Sequence, residues 1–224
     1  MLKTALVSCL LAAVPMFALA GDNNRVDLLQ SATGNLGNTL TVDQSGADNS
    51  LVAGALGSEN PLVLTPAQQV GDGNEAMLTL TGDGARMFLQ QGQSIDNPGI
   101  GNEAIAVIAG RTGLGVIQQL GSDNFASLNV TSQDATLPSD GSIFQDGQGN
   151  SGTLTVEGLN VSGTLRQIGN DNVNTLAVTG ENTSVEFIQE GTGLVNNGLG
   201  DFAAVPGISV FSNAGSVTIT QTNF

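Results

Sequence analysis

Gln145–Val156 reads QDGQGNSGTLTV, and Gln167–Val178, twenty-two residues on, reads QIGNDNVNTLAV. After the same interval Gln189 opens QEG. Each copy is Gln-x-Gly-x-x-Asn followed by alternating apolar residues, as at Leu176 and Val178. A fixed period in this range marks a solenoid, whose repeats are too small to bury a core alone and stack on their neighbours. Alternation of period two makes the unit strand, not helix. Apolar side chains at every second position put one strand face inward. The Gly suits a tight turn that needs positive φ. Gln and Asn recurring at fixed points would lie above one another and bond up and down the stack as ladders. A buried amide without such partners costs about 1–3 kcal/mol, so the recurrence favours ladders.

Outward from this stretch, the motif recurs in both directions. Gln44, Gly46 and Asn49 form one copy, followed by Leu51 and Ala53. Gln69, Gly71 and Asn74 form the next, and Gln119, Gly121 and Asn124 another. Gln145, Gly147 and Asn150, then Gln167, Gly169 and Asn172, are the two copies quoted above. Two copies are interrupted: Gln90 and Gly92 are separated from Asn102, and Gln189 and Gly191 from displaced Asn196 and Asn197. Within the first of these, Met87 and Leu89 alternate with Gln91, whereas the motif spacing takes Gln90. Gln30 ends a short irregular strand and Gln221 a closing half unit with Val217 and Ile219. Gln44 reads equally as the end of one unit or the start of the next. The expectation is one all-β solenoid of about eight two-strand rungs over residues 21–224. It has an irregular first rung at 21–43 and inserts near 93–100, 132–142 and 192–207. The five prolines after residue 20 all fall outside the expected strands, as ladder bonding requires.

Residues 1–20 read as a secretory leader: Lys3, an apolar run from Ala5 to Leu19, and a small-x-small Ala18-Leu19-Ala20. Leu6-Val7-Ser8-Cys9 matches a lipoprotein box superficially, but cleavage there leaves almost no apolar segment. The run is short for a membrane span. Cys9 is the only cysteine, so residues 21–224 can form no disulfide. Without the leader, four Arg face twenty acidic residues, a formal charge of about −16. That argues against a phosphate-binding surface and hence against nucleic acid as a partner. There is no His, and the carboxylates are dispersed over turns, so no catalytic constellation stands out.

Together the Gln-x-Gly-x-x-Asn copies, their spacing and the following Ala-x-Leu resemble the curlin repeat of curli subunits, the functional amyloids of bacterial biofilms. The resemblance implies a Sec-exported, cell-surface subunit that leaves through an outer-membrane pore, meets related subunits and self-associates into cross-β fibres. No cofactor or metal is implied. One departure is clear. Curlin units carry a second Gln six residues after the Asn; Asn38 has it in Gln44, but the other positions are Leu80, Ile108, Val130, Val156 and Val178. A column of amides is thus replaced by an apolar one. The Asp-bearing turns at Asp72 and Asp123 raise calcium, but calcium β-rolls repeat a nonapeptide, less than half this period. The sequons at Asn129, Asn160 and Asn182 carry little weight in a bacterial chain. The competing reading is a secreted monomeric β-helical adhesin, with or without calcium.

Overall fold

The computed structural model describes residues 24–32, 36–44, 50–53, 66–92, 98–132, 136–195, 208–212 and 214–223. The leader, Gly46 and Asn49 lie outside them, as do Asn196 and Asn197. The described residues form strands and no helix. In chain order these are β1 (Arg25–Val26), β2 (Leu28–Ala32), β3 (Thr39–Asp43), β4 (Leu51–Ala53), β5 (Ala67–Asp72) and β6 (Glu75–Thr79). Then come β7 (Arg86–Gln91), β8 (Gly99–Ile100), β9 (Glu103–Ile105), β10 (Leu114–Ser122), β11 (Phe125–Ala126) and β12 (Asp140–Gln148). The last are β13 (Ser151–Val156), β14 (Ser162–Asn170), β15 (Val173–Gly180), β16 (Thr183–Thr192), β17 (Ile208–Ser212) and β18 (Gly215–Thr222).

All pairings are parallel and build two sheets, one of 11 strands from β1 and β2 to β18, one of 7 strands from β3 to β17. The chain alternates between the sheets, so each strand pairs with the strand one coil later. Gln145 opposes Gln167 and Gln167 opposes Gln189 in one sheet, while Leu154 opposes Leu176 in the other. This is an all-β architecture of the solenoid kind, with parallel sheets laid down by consecutive strands.

The core lies between the sheets. Leu78, Leu128, Leu154 and Leu176 form one buried column, and Leu80, Ile108, Val130, Val156 and Val178 another. Facing columns are matched in size. Gly115, Gly141 and Gly163 of the larger sheet lie opposite these bulky residues, and an added Cβ at Gly141 would come 2.8 Å from Leu128 Cδ1 and 2.9 Å from Val130 Cγ2. Large against small across the gap is what close packing without voids requires. Pro66, Pro98 and Pro138 stand just before β5, β8 and β12, where a missing N–H breaks no ladder.

Three expectations shift. Gly99–Ile100, residues 140–142 and Thr192, read as insert, belong to β8, β12 and β16. Leu51 and Ala53, read as following a Gln44 copy in the second sheet, lie in β4 of the larger sheet, paired with β1 and β7. Gln44 itself follows β3, whose Asp43 opposes Thr79. It therefore ends a unit rather than starting one.

Candidate functional site: two amide ladders and two open ends

A continuous chain of amide bonds runs up the larger sheet. Gln30 Nε2 donates to Gln69 Oε1 at 2.5 Å, Gln69 to Gln91 at 2.8 Å, and Gln91 to Gln119 at 2.9 Å. Gln119 donates to Gln145 at 3.0 Å, Gln145 to Gln167 and Gln167 to Gln189 at 2.9 Å, and Gln189 to Gln221 at 3.0 Å. Gln69, Gln91, Gln119, Gln145, Gln167 and Gln189 are buried. From Gln30 to Gln189 each Nε2 also reaches at least one backbone carbonyl, Gln145 those of Phe125 and Asn150 at 2.7 and 3.1 Å. The ladder thus ties the two sheets together as well as the levels. Every step has one polarity: the earlier residue donates and the later accepts.

Two members expected in this ladder are elsewhere. Gln90 points outward, where it accepts from Gln118 Nε2 at 2.9 Å; the ladder position is Gln91. The alternation of Met87 and Leu89, both buried, fixes the inward face and carries Gln91 with it. Gln44 is outside the ladder because it follows β3 of the smaller sheet; its Nε2 reaches Arg25 O at 3.4 Å.

The second ladder is of asparagines and runs with the opposite polarity. Asn74 Nδ2 donates to Asn38 Oδ1 at 3.1 Å, Asn102 to Asn74 and Asn124 to Asn102 at 3.0 Å, Asn150 to Asn124 at 3.1 Å, and Asn172 to Asn150 at 3.0 Å. The same oxygens accept the next level's backbone N–H, as from Asn172 N to Asn150 Oδ1 at 3.2 Å. The second Nδ2 hydrogen goes to a turn carbonyl, that of Gly191 in the case of Asn172, at 3.0 Å. Asn38 was missed as a member; its position six residues before Gln44 was the available signal. The ladder ends at Leu194, whose backbone N–H alone meets Asn172 Oδ1 at 3.0 Å.

Between the ladders stand the turn glycines Gly71, Gly121, Gly147, Gly169 and Gly191, all at positive φ. Gly99, not Gly92, holds this column at its level: Gly71 opposes Gly99. Gly92 and Gly99 flank residues 93–97, which lie outside the described residues, so the motif spacing and the column part here. In the following column Gly73, Gly101, Asp123, Gly149, Asp171 and Gly193 all have φ between 55° and 67°. Asp123 and Asp171 are thus separated by Gly149, which keeps like charges from adjacent levels. Asp here is a residue that tolerates this backbone region. Among the described residues no three of His, Cys, Asp and Glu approach as a metal cage would need. Of the sequon residues, Asn160 Nδ2 donates to Asn182 Oδ1 at 2.9 Å, a short outer ladder with both at positive φ.

The ends of the stack differ from its middle. Leu40 and Val42 of β3, Ile208 and Val210 of β17, and Val217 and Ile219 of β18 are only partly buried. Val26, Leu28 and Leu29 are exposed at 42, 42 and 47%. Among the described residues β18 closes one end of the larger sheet and β17 and β3 the ends of the smaller, each with a partner on one side alone. These are open edges with apolar rims, the geometry that recruits further strands.

The fold and its ladders define a class: an all-β chain of parallel sheets stacked in the manner of a β-solenoid. Comparison with known families, characterised proteins and solved structures returned no match.

Proposed function

We propose that this chain is an extracellular structural subunit, a solenoid of about eight curlin-like rungs, that polymerises into curli-like amyloid fibres for adhesion and biofilm matrix. The observation that carries the reading is the Gln ladder, which reaches from Gln30 in the first described level to Gln221 in the last. It is capped at neither end among the described residues. Each level already has the cross-β form, strands perpendicular to the stack axis at a spacing of about 4.8 Å. Fibre growth then repeats between molecules the pairing made within one. A monomeric solenoid needs polar caps, whereas β2, β3, β17 and β18 present apolar residues at their rims. Export by the Sec route, passage through an outer-membrane pore and contact with related subunits belong to the same proposal, which needs no cofactor.

Assembly of residues 21–224 should quicken as pH falls towards the sequence pI of about 4.1, and with added salt. Stacking subunits of formal charge about −16 brings like charges together, and salt shortens the reach of that repulsion. Asp140 acts in the same sense within the subunit. Partial burial raises its carboxyl above the ordinary range, although the residue keeps solvent access. A raised acid disfavours the charged folded state, so stability is regained as pH falls through the raised value. Thioflavin T lag times over pH and salt are the measurement. Lag times flat in both variables contradict the electrostatic account, and a stable monomer at high concentration supports the adhesin reading instead.

A further inference from the structure

We infer that each incoming subunit is turned by half a revolution about the stack axis, so that its smaller sheet continues the larger sheet of the subunit before it. The inference rests on the polymerisation proposed above and specifies its geometry. The first described strands, β1 and β2, and the last, β18, all lie in the larger sheet. The described coil therefore holds an odd number of half turns, and at the β18 end the larger sheet stands one level beyond the smaller.

An unturned copy would place β2 on β18 and set Leu28 and Gln30 over Ile219 and Gln221. Its β3 would then lie two levels from β17, roughly 9.6 Å away at one strand spacing per level. Between them would be a slot one strand wide, lined by the unpaired N–H and C=O groups of two edges. Buried backbone groups without partners are rare because each costs about as much as a lost hydrogen bond. A half turn removes the slot. The copy's β2 then lies on β17 and its β3 on β18. Strands remain parallel, because successive strands of the coil run in opposite directions across the core and a half turn reverses them.

The side chains fit this arrangement. In β3 the inward residues are Leu40, Val42 and then Gln44; in β18 they are Val217, Ile219 and Gln221. The turned copy sets Leu40 on Val217, Val42 on Ile219 and Gln44 on Gln221. Gln44 begins a column otherwise made of Leu80, Ile108, Val130, Val156 and Val178; within one subunit its Nε2 reaches Arg25 O, but no described group meets its Oε1. Ladder polarity accounts for it between subunits. Gln221 is the last acceptor, so its Nε2 is the donor left over, and Gln44 Oε1 has no partner among the described residues. One ladder bond forms in either arrangement, through Gln30 unturned or Gln44 turned. The edges decide the matter: the turned copy pairs both β17 and β18, the unturned copy only β18.

Paired cysteines distinguish the two, since residues 21–224 contain none. Leu29, Thr41, Ser209, Thr218 and Thr220 are exposed, outward-facing residues. Adjacent parallel strands lie about 4.8 Å apart, within disulfide reach. L29C/S209C and T41C/T218C meet only across a turned contact, and L29C/T220C only across an unturned one. Each pair spans opposite ends of one subunit, so any bond is between subunits. Fibres are grown under reducing conditions, oxidised, and resolved on denaturing non-reducing gels. Ladders of covalent multimers from L29C/S209C and T41C/T218C, with L29C/T220C staying monomeric, are expected. Multimers from L29C/T220C, or monomer from all three pairs within fibres, overturn the half turn and leave the polymer reading standing. Absence of fibres from the unmodified chain overturns both. The two turned pairs share no residue, so misfolding of one variant leaves the other to decide.

Discussion

Gly169→Ala should cost about 4 kcal/mol or more and lower the melting temperature by about 10 °C or more. Gly169 sits at φ +105, a region in which a side chain is strained whatever the room. There is also no room: a Cβ would lie 2.0 Å from the carbonyl oxygen of Gly191 and 2.9 Å from its carbon. That carbonyl cannot swing aside, because it accepts Asn172 Nδ2 at 3.0 Å. The column repeats the problem, with Gly121 placed 2.1 Å from Gly147 O and Gly147 2.0 Å from Gly169 O by the same construction. The control is Gly193→Ala, at φ +66 with nothing among the described residues within 4 Å, where only the backbone cost of about 1–2 kcal/mol applies. Circular dichroism melts of both variants measure the difference. Equal losses would mean that the turns are not stacked this closely.

Leu176→Asp should be larger still, leaving no folded subunit at neutral pH. Leu176 is fully buried between Leu154 in the level before and Ile208 in the level after. A carboxylate there has no cation to meet and no water to keep, and the cost of burying it far exceeds that of the lost packing, itself about 2–5 kcal/mol for truncation of a core leucine. Thr175→Asp, one residue away on the outer face, should change stability by about 1 kcal/mol or less. The test is again the melt, with tryptic digestion as a second reading of foldedness. Similar effects at 175 and 176 would place the wrong face of β15 against the core.

The two substitutions sit in the part of the chain that the sequence makes plainest. From Gln119 to Gln189 the spacing between motif residues varies little, and period and alternation agree about which face is inward. Gln119, Gln145, Gln167 and Gln189 therefore stand in one ladder, and Asn124, Asn150 and Asn172 in the other. Towards the N-terminus the two signals part. At Gln90 the motif spacing competes with the alternation of Met87 and Leu89, and packing prevails, because a slip of one residue would turn Met87 and Leu89 away from the core and Gln91 out of the ladder. At Gln44 the motif letters are all present, yet the residue belongs to the strand behind it. Its Asn38, six residues earlier, held the better signal. Gly99 was hidden because residues 93–98 separate it from the Gln-x-Gly of Gln90 and Gly92, and no local pattern marks where the register resumes.

Fibre diffraction from aligned filaments of residues 21–224 tests the central claim most directly. The ladders repeat once per level, and subunits that stack by their open edges prolong that repeat without interruption. The account predicts a sharp meridional reflection at about 4.7–4.8 Å, with an equatorial spacing of about 10 Å from the paired sheets. Filaments without the meridional reflection would mean that the subunits associate through their sides, and that the edges at β17 and β18 are not where the fibre grows.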